Sequence, residues 1–189
     1  MSGQGVPPVT DAVRRQAAQQ PGGWVYAVDP MFDDGRQVPG HAVIGAWKVD
    51  DRGQVGQEFT PNPNYRPSPL GAGFREPRSQ LEADLQLAAT GYRAMGEVLG
   101  ELLDATLHTY ARPDGAIFVA DDGGDRLLQV FTDEDAVKAT GWPDVQALTG
   151  LQAVEQLPEG VDLLVNPGVP PTLRLPRAEL LAARERRAR

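Results

Sequence analysis

The chain has 189 residues, 41% of them hydrophobic and 23% charged, which is enough apolar material for one generous domain or two small ones. It contains no cysteine, which excludes disulfides, thiolate nucleophiles and zinc–thiolate centres. Its net charge of −8 repels a phosphate backbone, so nucleic acid is not an expected partner.

Residues 1 to 23 are rich in Gly, Pro, Gln and Ala and read as a flexible arm, with a helical turn or two around Ala12 to Ala18. They lack the apolar centre of a signal peptide, and no run further on nears the roughly 18 apolar residues of a membrane span. A cytoplasmic location is the simplest expectation. "WVYAVD" from Trp24 is a strand with Trp24, Tyr26 and Val28 on one face and Val25 and Ala27 on the other. An Asp-Gly and Pro-Gly loop, "DPMFDDGRQVPG", follows. "HAVIGAWKV", His41 to Val49, is apolar on both faces and is expected as a central strand. "DDRG" at 50 to 53 is a tight hairpin turn, and "QVGQEFT" is the third strand.

Ser79 opens the first clear helix. Ser79 and Glu82 have the spacing of a capping box, in which hydroxyl and carboxylate each satisfy a free backbone N–H. Leu81, Leu85, Ala88, Ala89 and Tyr92 share one face, and Gly91 is placed to end the helix. A second helix is expected from Met95 to Leu103, with Val98, Leu99, Leu102 and Leu103 inward. "TLHTYA", "AIFVA" and "RLLQVF" then read as strands, with "DDGGD" at 121 to 125 as a turn. "TDEDAVKATG" reads as a helix with acids in its first turn. "LQAVEQL", "VDLLVNP" and "TLRLP" read as three short strands, and Pro176 opens a terminal helix anchored by Leu180 and Leu181.

Strands, then helices, then mixed elements predict an α+β fold of short, mainly antiparallel strands in two packed subdomains, with helices covering the sheets. The expected divisions are the arm 1–23, a three-strand-plus-helix subdomain 24–92, a second subdomain 93–180 and a basic helix end 181–189. Residues 96 to 173 hold 14 acids against 3 bases, while residues 174 to 189 hold 2 acids against 6 bases. That basic end has two open readings: a target of its own, or the protein's own acidic middle.

Motifs for catalysis are absent. No serine sits in G-x-S-x-G, and Ser79 is accounted for as a cap. His41 and His108 fall in predicted strands, where a histidine is more often packed than catalytic. There is no H-E-x-x-H, and "DDGGD" does not follow the calcium-loop pattern. The cluster Asp29, Asp33 and Asp34 reads likewise as solvated loop acids. No phosphate-binding glycine loop occurs. No metal, cofactor or catalytic residue is therefore expected.

The stretch "TPNPNYRPSPLG", residues 60 to 71, carries four prolines in nine residues. That density forbids a helix or central strand and makes an extended, stiff ribbon. It presents Asn62, Asn64, Tyr65 and Arg66, side-chain types suited to recognition. The competing reading tucks Tyr65 onto the core and turns Asn62 and Asn64 onto the loop's own backbone. In either case the ribbon is expected to be ordered, with Leu70 or Phe74 buried and Arg66 reachable.

The C-terminal half resembles SseB-family domains, through "LLQVFTDEDAV" and "LPEGVDLLVNPGVPPTLRLPRAEL". The N-terminal half is similar to type VII secretion system-associated proteins of actinobacteria, through "WVYAVDPMFD", "VPGHAVIGAWKVD", "FTPNPNYRPSP" and "LQLAATGY". Together these phrases span roughly residues 24 to 180. "FTDEDA" stands where the family has Phe-Thr-Ser, which leaves the helix cap to Thr132 or Asp133. The resemblance implies a cytosolic accessory protein and carries no catalytic residues. It leads to the expectation of a non-enzymatic binding or adaptor protein whose partner is a secretion component, its cargo or a toxin. Two other readings stay open: a small hydrolase pairing His41 or His108 with an Asp, and a small-ligand binder using Trp24, Trp47 or Trp142.

Overall fold

The computed structural model describes residues 5–33 and 37–188, so Asp34 lies outside the described residues. Contacts divide the chain into two compact units, one up to Gly73 and one from Phe74 onward. The fold is α+β with mostly antiparallel strands.

In the first unit, Thr10 caps helix α1, Asp11–Ala18, by accepting a hydrogen bond from the Val13 N–H. The expected flexible arm is thus in part a packed helix. Ala17 is fully buried, and Val9 and Val13 join it against Val25, Ala27, Trp47 and Val49. Strands β1 (Trp24–Val28), β2 (Val43–Val49) and β3 (Val55–Pro61) form an antiparallel sheet in that order, with β2 central as its two-faced apolar pattern implies. Along β1, Val25 and Ala27 are buried while Trp24 and Tyr26 are exposed. At the hairpin, Gly53 N–H donates to the Asp50 carbonyl, and Asp50 Oδ1 accepts from the Arg52 and Gln54 N–H groups. Gly53 has φ +76°, a left-handed value that glycine takes without strain. His41 is not in a strand; it sits in a 3-10 turn, Gly40–Ala42, because Pro39 and Gly40 delay strand entry to Val43.

The second unit is a six-stranded sheet ordered β7 (Val145–Thr149), β4 (Thr106–Tyr110), β6 (Asp125–Phe131), β8 (Val161–Val165), β9 (Leu173–Leu175), with β5 (Val119–Asp122) paired to β6. Among the described strands, β6 and β8 alone pair in parallel. Helices α2 (Gln80–Ala89), α3 (Met95–Asp104), α5 (Gly150–Gln156) and α6 (Arg177–Arg187) surround one core with Leu85, Val98, Leu99, Leu102, Leu103, Leu107, Leu128, Leu163 and Leu180. Tyr110 and Phe131 are out of phase with Leu107 and Leu128 on their strands, so they face the other way. There they pack with Val137 of α4, Glu134–Lys138. The cap of α4 is Asp133, which accepts from the Asp135 N–H.

The division at residue 73 places α2 in the second unit, earlier than the expected boundary at 92. The reason is Leu85, 1% exposed, whose burial is in the second core. "LQAVEQL" is helix α5 and not a strand. Thr149 and Gln152 make a complete capping box there, and Ala153, Val154 and Leu157 are buried at helical spacing. The strand in that region is β7, just upstream. "AIFVA" starts its strand later than expected, at Val119, after an isolated bridge from Ala111 to Ile117. The two phrases "LLQVFTDEDAV" and "LLVNPG" meet side by side. Val130 is in register with Val165, and the buried Asn166 accepts from the Thr132 N–H at 2.9 Å.

The capping box of α2 forms by halves. Ser79 Oγ accepts from the Glu82 N–H, but the buried Glu82 carboxylate accepts from the Arg78 N–H and pairs with Arg75. Ser79→Ala removes one cap acceptor and leaves that carboxylate in place. A loss of about 1 kcal/mol is expected in urea unfolding of the second unit; a change indistinguishable from zero would mean the Glu82 contacts alone start the helix.

Candidate functional site: the proline ribbon and its anchor

The stretch after β3 is held at three points. First, Asn62 takes over where the ladder ends. Its N–H donates to the Ile44 carbonyl, its side-chain amide donates to the Gly40 and Val43 carbonyls at 2.9 and 2.7 Å, and its Oδ1 accepts from the Asn64 N–H. Second, the Arg66 N–H donates to the His41 carbonyl. Third, Asp29 at the end of β1 gathers the rest. Oδ2 accepts from the Tyr65 hydroxyl at 2.8 Å and from the Ser68 N–H at 2.9 Å. Oδ1 accepts from the Ser68 hydroxyl and from the Met31 N–H. Ser68 Oγ in turn accepts from the Gly71 N–H, so the chain folds back on itself after Pro69.

Asp29 is 0% exposed. Burial pushes its carboxyl up, but the donors from Ser68, Met31 and Tyr65 outweigh it and hold the group below the ordinary carboxylate range. An ionised carboxylate with four donors is the arrangement that makes a buried charge tolerable. Gly71 completes the cradle: a Cβ there would drive into the Asp29 carboxylate and the Tyr65 hydroxyl.

Of the four residues expected at a binding surface, the structure separates two from two. Asn62 and Tyr65 are half-buried and hold the loop; Tyr65 turns inward, onto the Asp29 carboxylate, and the Asn62 side-chain N–H groups reach the Gly40 and Val43 carbonyls rather than the loop's own backbone. Asn64 and Arg66 have exposed side chains. The expected apolar anchor fails at Leu70, which is 51% exposed; Ser68 and Pro69 are buried instead, and Phe74 is half-buried. A polar clasp replaces an apolar one because Asp29 supplies more acceptors than the sequence suggests.

The other candidates are scattered. His108 lies in β4 opposite Phe131 and has no carboxylate hydrogen-bond partner among the described residues. His41 lies edge-on to Phe32, with ring centres 5.7 Å apart. Among the described residues no three His, Asp or Glu side chains are grouped to hold a metal ion. In the acidic hairpin, Asp121 accepts from the Gly124 N–H and Asp125 pairs with Arg174. Trp24 lies under the Lys48 ammonium, Trp47 is core, and Trp142 packs at a tilt against Tyr110 and Phe118. Trp47 also floors a groove of about 640 Å³ with Ala27, Val43 and Ile44, beside Pro7, Pro8 and Val13. At the basic end, Arg187 pairs with Asp104 of α3, which favours the protein's own acidic middle as the contact of that residue.

Asp29, expected as a solvated loop acid, is instead fully buried, because its carboxylate is held by the Ser68, Tyr65 and Met31 donors. Its partners lie 36 and 39 residues further on, and the only local signal is an Asp before Pro30 at a strand end. None of the described helices is long and apolar enough to cross a membrane. No protein-family model matches the chain, and no curated protein matches it.

Proposed function

We propose that the chain is a non-enzymatic, cytoplasmic binding or adaptor protein that uses the ribbon to recognise a protein partner. The partner class is a component of type VII secretion, its cargo or a secreted toxin. The resemblance of "FTPNPNYRPSP" and its neighbouring phrases to secretion-associated proteins supports that class. The observation that carries the reading is the clasp itself. A segment without regular structure is fixed by Asp29 and Asn62, while Asn64 and Arg66 are exposed. A loop ordered in advance binds with less entropy to lose, which is the physical use of such rigidity.

The test uses Asn64→Ala with Arg66→Ala, since both residues are exposed. Partners are captured from the native cytosol on immobilised protein and identified by mass spectrometry, and the affinity of the recovered partner is then measured. The double variant is expected to bind about tenfold or more weakly, with a melting temperature within about 2 °C of the parent. Unchanged affinity would make the ribbon a structural joint.

A further inference from the structure

We draw no further inference here: the strongest candidate, the outer edge of β1 with the exposed Trp24 and Tyr26, has no neighbouring strand among the described residues, and nothing in the structure shows what covers it.

Discussion

Replacing Asp29 by Ala is expected to destabilise the first unit by about 3–5 kcal/mol, enough to unfold a unit of this size at moderate temperature. The change removes one carboxylate and orphans four donors: the Ser68 hydroxyl, the Ser68 and Met31 N–H groups and the Tyr65 hydroxyl. Each buried donor left unmade costs about 1–3 kcal/mol, less where water can enter. Tyr65 and Met31 lie nearer the surface, so their share is the smaller. Asn at position 29 keeps the shape but turns one acceptor into a donor, and an intermediate loss is expected. The measurement is urea unfolding followed by tryptophan fluorescence in a Trp142→Phe background, which leaves Trp24 and Trp47 of the first unit as reporters. A loss below about 1 kcal/mol for Asp29→Ala would mean that water replaces the carboxylate and that the clasp holds nothing.

The same carboxylate sets a pH dependence. Its folded-state pKa lies below its ordinary value of 3.8. A depressed carboxyl contributes stability that is complete above its unfolded pKa and is lost as pH falls through the folded one. The parent protein should therefore weaken as pH is lowered below about 4, and Asp29→Asn should flatten that limb for the first unit. Asp84, Asp133 and Asp162 are also held low, but they lie in the second unit and would act there.

Gly150→Ala is expected to cost the second unit about 3 kcal/mol, through the backbone and not through a lost contact. Gly150 starts α5 with its N–H on the Ala105 carbonyl, at the point where α5 meets the end of α3. A Cβ there would collide with the Leu102 carbonyl oxygen and come within 2.9 Å of Leu103 Cα. Neither is the movable end of a side chain. Leu102 and Leu103 are fully buried, so α3 has no room to retreat without opening the core. Far-ultraviolet circular dichroism on heating, compared with Gly100→Ala as a control, measures the effect. Gly100 has open space at its Cβ, and alanine is favoured there as a helix former. Equal melting temperatures for the two variants would refute the close approach.

How much was legible depended on range. The alternation of β1, the centrality of β2, the turn at Asp50 to Gly53, the inward face of α3 and the Ser79 cap were readable because each rests on neighbours within about five residues. Residues 151 to 157 misled because Leu151, Ala153, Val154 and Leu157 satisfy a short strand and a helix turn alike. What separated the two was the Thr149–Gln152 box and the space left beside α3, and only the box was on view. The placement of α2 misled for a similar reason: a helix adjacent in sequence to three strands was assigned to them, while Leu85 found its burial in the core downstream.

The ribbon divides the same way. Sequence by itself determined that residues 61 to 69 form neither a helix nor a central strand, because proline constrains its own φ and the residue before it; the expected extended ribbon is interrupted by turns at Pro63–Asn64 and from Pro69. Sequence also determined which side chains are available for recognition. Only the tertiary structure decided which of them are spent on the fold. Asp29 and Ser68 are 39 residues apart, and their meeting depends on β1, β2 and β3 first aligning side by side. A carboxylate buried in that corner must collect every donor within reach, so Tyr65 turns inward to it while Asn64 and Arg66 stay on the surface.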